Sequence, residues 1–172
     1  AHETESRDSL DEETVQSSHI KKLRSASPAD IHRYRDERRP FIGAIQQACA
    51  MMEAGAAFET ACSEFVKLDG AIRCFVLGGD GGQIGPELAG DFAPAPQGMN
   101  ISDMIERVNG DWSRRDFFRR AMREPEAVQV TRRYASLSGY AHCVTFSMAA
   151  RIDAKPVVIC GDVDWSTHAR IH

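Results

Sequence analysis

The sequence predicts an α+β domain built around a central antiparallel sheet. Two amphipathic helical patterns precede the first strand. Three strand-like segments then close the chain, joined by connections too short to hold crossover helices. The 172 residues suffice for one ordinary hydrophobic core plus an extension. About five strands are expected, with the N-terminal helices packed against them.

Residues 1–27 are polar, first acidic and then basic around Lys21, Lys22 and Arg24, and read as a linker or tail. In "SPADIHRYRDERRP", Ser27 and Asp30 have capping-box spacing and Pro28 suits the first helical turn. A helix over 28–39 follows from this, with little apolar surface beyond Ile31 and Tyr34. It is either a bridge to a neighbouring domain or second chain, or a solvated helix. Pro40 opens the next pattern, in which Phe41, Ile42, Ile45, Ala48, Cys49 and Met52 recur at three- and four-residue intervals. After Gly55 a second stripe follows at Phe58, Ala61, Cys62, Phe65 and Val66. The main domain is placed at 40–165, and 166–172 at a C-terminal tail.

"AIRCFVL" is the first strand. The glycine-rich stretch after it, "GGDGGQIG", contains neither the lysine nor the hydroxyl residue of a phosphate-binding loop. It leads into Pro86 rather than a helix, which excludes a dinucleotide fingerprint. Asp80-Gly81 therefore reads as a tight hairpin turn with Gln83-Ile84 starting the return strand. Residues 86–110 read as a long connection carrying a short helix near 102–108. In "SRRDFFRRAMRE", Ser113 and Asp116 form a second capping-box pattern, with Phe117, Phe118, Ala121 and Met122 on the buried face. "AVQVTRRYA", "HCVTFSMAA" and "KPVVICGDVDW" are the remaining strands.

Charge and cysteine usage narrow the function classes. A formal charge of −4 gives no general attraction to nucleic acid or an anionic membrane. No apolar run approaches a membrane span. The five cysteines are widely spaced among apolar residues, which fits reduced core thiols and a cytoplasmic location better than a disulfide frame. No zinc-ligand spacing occurs, and no nucleophile–base pair can be assembled.

Three segments, "FVLGGDGGQIGPEL", "DWSRRDFFRRAM" and "RRYASLSGYAHCVTFSMA" with "KPVVICGDVDW", resemble the Cache (PDC-type) group of PAS-like sensor domains. The version concerned lies C-terminal to EAL-type cyclic-di-GMP phosphodiesterase domains. The likeness implies a noncatalytic sensor with a ligand pocket between the sheet and residues 86–123. Arg115, Asp116, Phe117 and Phe118 fit its helix of arginine, spacer and two aromatics. Tyr134 fits the end of the next strand, and Asp162 the end of the last. Phe117 stands where many members have tyrosine, which removes one hydroxyl. The implied partners are an acidic or zwitterionic small molecule, the attached EAL-type domain and a second copy in a homodimer. No cofactor or metal is implied.

The arginines carry an argument of their own. Placed in the first helical turn, Arg114 and Arg115 meet an unfavourable helix dipole that an anion would relieve. That anion is either Asp111, Asp116 or Asp162, or a ligand carboxylate or phosphate. Asp162 is placed either to take a ligand amine or to anchor a strand end. Trp112 and Tyr134 are each either pocket wall or packing.

Overall fold

The computed structural model describes residues 26–91, 111–136 and 142–168. By its contacts the chain divides after Arg38, and the segment 39–167 holds together as a unit. The expected short helix near 102–108 lies outside the described residues.

Helix α1 spans Pro28–Glu53. Its start is the predicted capping box: Ser27 Oγ accepts the Asp30 N–H at 3.1 Å and donates to the Asp30 carboxylate at 2.6 Å. The two helices expected on either side of Pro40 are one, with that proline inside. A proline there forfeits one backbone hydrogen bond and crowds the preceding turn. Burial of the stripe directly after it, Phe41, Ala44, Ile45, Ala48 and Cys49, offsets that loss. The helix ends where Gly55, at φ 94°, donates to the Met52 carbonyl while Ala56 donates to that of Met51, a Schellman closure.

The second amphipathic helix resolves into two single turns, α2 (Phe58–Ala61) and α3 (Ser63–Val66). Ser63 Oγ donates to the Thr60 carbonyl at 2.9 Å, a side-chain bond that competes with the helical ladder at this break. Of the expected stripe, Ala61, Cys62, Phe65 and Val66 are buried and Phe58 is half-buried.

Five strands follow: β1 (Ala71–Gly78), β2 (Gln83–Ala89), β3 (Gln129–Val130), β4 (Cys143–Ile152) and β5 (Lys155–Asp164). Their order is β2-β1-β5-β4-β3, and all neighbours are antiparallel. Helix α4 (Asp116–Arg123) lies between β2 and β3 in sequence. Strand β2 runs through Pro86 to Ala89, further than the sequence suggests. It forms one edge of the sheet, where a residue lacking an N–H is tolerated.

The Asp80-Gly81 turn forms as predicted, with Gly81 N–H donating to the Gly78 carbonyl and Asp80 Oδ1 accepting the Gly82 N–H. Gly81 has a second duty. Its carbonyl accepts the Trp112 N–H at 2.9 Å, and a Cβ at this position would stand 2.5 Å from Ser113 N. The hairpin tip is thus the seat on which the Trp112 segment rests. At the other hairpin Asp153 and Ala154 both adopt positive φ, 50° and 63°, a two-residue connection whose backbone twist matches the sheet.

The predicted strand over 127–135 is much shorter in fact. After Val130 the Thr131 hydroxyl accepts the Thr145 N–H at 2.9 Å in place of a backbone carbonyl. The ladder resumes only as a bridge between Tyr134 and Cys143. A side-chain acceptor has replaced a main-chain one, which periodicity alone cannot anticipate.

Register sorts the side chains into two faces. One carries Cys74, Val76, Ile159, Gly161, Phe146 and Met148, and there Phe41, Phe65, Phe146 and Trp165 form an aromatic cluster with ring centroids 5.2–6.5 Å apart. The other face carries Arg73, Phe75, Leu77, Val158, Cys160, Asp162, Thr145, Ser147 and Ala149, and α4 packs on it.

All five cysteines are free and buried. Burial, with help from the nearby Glu53 charge, pushes the Cys49 thiol from 9.0 up to about 12. The fold therefore holds this proton more tightly than the unfolded chain does. Its contribution is intact below pH 9 and is lost as the pH climbs to 12. Denaturation midpoints are expected to fall across that window, and to fall less steeply in Cys49→Ala; identical profiles for the two proteins would contradict this.

Candidate functional site

The face covered by α4 divides into an apolar and a polar part. Phe75, Leu77, Trp112, Phe117, Phe118, Ala121, Ala149, Val158 and Cys160 form one buried cluster. Ser147 Oγ ties α4 to the sheet by donating to the Phe117 carbonyl at 2.9 Å. Beyond Phe75 and Cys160 the next cross-strand row is Arg73, Asp162 and Thr145, one residue from each of three adjacent strands.

That row is a closed polar network. Arg73 Nε donates to Asp162 Oδ2 at 2.8 Å, and its other arm, NH1, to Glu87 Oε2 at 2.6 Å. Thr145 Oγ1 donates to Asp162 Oδ1 at 2.6 Å. Since the Thr145 proton is thereby spent, the 2.6 Å contact between Tyr134 Oη and Thr145 Oγ1 has the tyrosine as donor. Arg73 is 5% exposed and Asp162 2%, so the pair is shielded from water. Burial alone would lower the Arg73 pKa; the adjacent Asp162 and Glu87 charges outweigh it and hold the guanidinium above the ordinary arginine value. Burial, reinforced by the Asp162 charge, raises the Tyr134 hydroxyl well above the usual phenol range.

Arg73 also lies over two aromatic rings, 4.3 Å from the Phe75 centroid and 5.7 Å from that of Trp112. A second guanidinium, Arg115, stands 5.7 Å from the same Trp112 ring. The indole is 7% exposed, yet its Nε1 has no hydrogen-bond partner among the described residues. A buried donor left unpaired is costly and calls for an explanation.

The six residues singled out in the sequence are distributed as follows. Asp162 and Tyr134 join the polar network. Trp112 and Phe117 share the apolar cluster, with ring centroids 6.3 Å apart, and Trp112 bridges cluster and network through Arg73. Arg115 is exposed beside Trp112. Arg114 is exposed near Asp111, whose carboxylate accepts the Ser113 N–H at 2.9 Å and is held below its usual pKa by Ser113 hydrogen bonds and then by the Arg114 charge. The expected capping box at Ser113 and Asp116 does not form. Arg115 is the N-cap and the helix starts at Asp116, so both arginines precede the first turn. Ser113 is diverted into the local turn with Asp111, and the Asp116 carboxylate pairs with Arg120 instead.

Among the described residues, Arg115 pairs with none of the three candidate acids. The internal partner of Asp162 is Arg73, which sequence reasoning missed. An arginine inside a strand pattern, "AIRCFVL", was the available signal, since a buried cation requires a buried acid.

On the opposite face a cleft of about 660 Å³ opens between the hairpin ends and the α1–α2 junction. It is lined chiefly by apolar residues, among them Met52, Phe58, Val76, Ile84, Ile152 and Pro156. Ile84 is 54% exposed, the one large exposed hydrophobic among the described residues. No group of histidine, cysteine and carboxylate side chains among them could hold a metal ion, and no helix is long and apolar enough to cross a membrane.

Helices on an open antiparallel sheet of five strands make this an α+β fold. No family model matches the chain, and no curated protein does either. The similarity lies with solved structures. One is the Bacillus subtilis YkuI protein, which has an EAL domain and was solved with cyclic di-GMP and calcium: TM-score 0.53, 14% identity, 90% of this chain and 37% of that one covered. Another is an extracellular ligand-binding receptor from Desulfohalobium retbaense: TM-score 0.53, 9% identity, 78% of this chain and 24% of that one covered. The chain thus spans about a third or less of the length of either. At such identities the likeness is one of fold.

Proposed function

We propose that this chain is a noncatalytic, ligand-sensing regulatory domain of a bacterial signal-transduction protein, in which Arg115 and Trp112 receive an acidic small molecule. The observation that carries the reading is the buried indole N–H of Trp112, without a partner among the described residues, with two guanidiniums beside it. A carboxylate or phosphate oxygen would satisfy that donor and neutralise Arg115 together. Asp162, Tyr134 and Phe117 support this wall from the sheet and from α4, and Arg114 adds positive charge at its edge. The likeness to a chain carrying an EAL domain supports an attached EAL-type cyclic-di-GMP phosphodiesterase as the output. The five free thiols suit a cytoplasmic setting. The signal would leave through the helix after Pro28, within a homodimer, to the extent that the ligand binds two helix arrangements with different affinity.

Arg115→Ala is the direct test, read by calorimetry with a panel of small organic acids. Arg115 is exposed, and an exposed charge pair is worth up to about 1 kcal/mol, so affinity is expected to drop by up to roughly fivefold. Affinity unchanged by the substitution would remove Arg115 from the site.

The apolar cleft favours a second reading, an interaction or dimerisation module that holds no ligand. Native mass spectrometry separates the two: a sensor purified with its ligand shows added small-molecule mass, whereas the module shows only subunit masses and their multiples.

A further inference from the structure

A cation set beside an acid fits a zwitterion, with the cation taking a carboxylate and the acid an ammonium. The structure removes half of that pairing. We infer that the acid sensed beside Trp112 carries no ammonium group, because Asp162 already serves as the internal counter-ion of Arg73. The inference rests on the sensing role proposed above and narrows its ligand class.

Both Asp162 oxygens are engaged, Oδ2 by Arg73 Nε and Oδ1 by Thr145 Oγ1, and the residue is 2% exposed. An incoming ammonium would have to shed its own hydration and displace Arg73. That would leave a buried guanidinium with Glu87 as its one acidic partner among the described residues. The hydroxyls are no substitute: neither carries a charge to neutralise an ammonium, and the Thr145 oxygen already accepts from Tyr134. Glu87, the other acid of this network, is held at 2.6 Å by the other arm of Arg73.

What faces a newcomer at Trp112 is therefore made of donors. The indole N–H has no acceptor among the described residues, and the Arg115 guanidinium is exposed beside the ring. Such a set is complementary to a ligand that only accepts, a carboxylate or phosphate without an amine. A free amino acid would bring its ammonium to a place where the buried acids are already engaged and the exposed Asp111 and Asp116 stand beside Arg114 and Arg120.

The test is calorimetry on the wild-type chain with matched pairs, succinate against L-aspartate and 4-methylpentanoate against L-leucine, and with inorganic phosphate as a separate arm. The expected result is that an amine-free member binds at least about tenfold more tightly than its amino acid, or that phosphate binds while both amino acids do not. The phosphate arm distinguishes a phosphate ligand from a carboxylate. Tighter binding of an amino acid, with that preference lost in Asp162→Asn, overturns the inference and leaves the sensing role standing. Should that variant not fold, the wild-type ratio alone decides. Failure of every probe to bind folded wild-type protein at millimolar concentration counts against the sensing role itself, and the inference falls with it.

Discussion

Asp162→Ala is expected to cost about 3–5 kcal/mol of folding stability, because it leaves Arg73 buried on β1 without the carboxylate that neutralises it. Against a typical total of about 5–15 kcal/mol, that is a large share. Glu87 softens the loss without cancelling it, being bound to the other end of the guanidinium and a third exposed. The stranded Thr145 hydroxyl adds to the loss. Replacing both charges at once, as in Arg73→Met with Asp162→Leu, should recover most of the stability, since neither desolvated charge remains. Urea denaturation of the two single variants and the double variant measures this directly. A loss below about 1 kcal/mol in Asp162→Ala would mean that the pair behaves like a solvated surface bridge, contrary to its burial.

Phe65→Ala is expected to cost a similar 3–5 kcal/mol through cavity formation. Phe65 is fully buried and packs edge-on to Phe41 and Phe146. Its ring lies directly on the β5 backbone at Gly161, where a Cβ would stand 2.2 Å from the ring carbon Cζ. Gly161→Ala should therefore be destabilising as well, by about 1–3 kcal/mol from overpacking. The two losses should not add. With the ring removed the new methyl group has room, so Gly161→Ala in the Phe65→Ala background should cost little or even help. A double-mutant cycle that closes without coupling would contradict the contact.

How much of this was legible beforehand varies with the kind of signal. The helical stripes at Phe41 to Cys49 and at Ala61 to Val66, the Asp80-Gly81 turn and the long strands β1, β4 and β5 follow from periodicity and turn chemistry, which act over a few residues. The Ser27 cap is of the same kind. The Ser113 cap has the same spacing and fails, because the segment is anchored through Trp112 to the hairpin tip at Gly81 and Ser113 turns back on Asp111. Likewise β3 stops at Thr131 because a hydroxyl on that residue takes an N–H from β4. Both outcomes depend on a neighbour distant in sequence.

The candidate site divides in the same way. Arg115, Trp112, Phe117, Tyr134 and Asp162 could be picked out by residue type and order, but their partners could not. Residues 73 and 162 are far apart along the chain and meet only because β5 inserts between β1 and β4. By itself the sequence determined the apolar stripes, the long strands, the α+β class and the demand that each buried charge be matched, since these depend on local geometry and on the cost of desolvation. Only the tertiary structure decided which acid answers which cation. Strand order places Arg73 opposite Asp162 and leaves Arg115 beside an indole whose N–H has no partner among the described residues, and no local pattern encodes strand order.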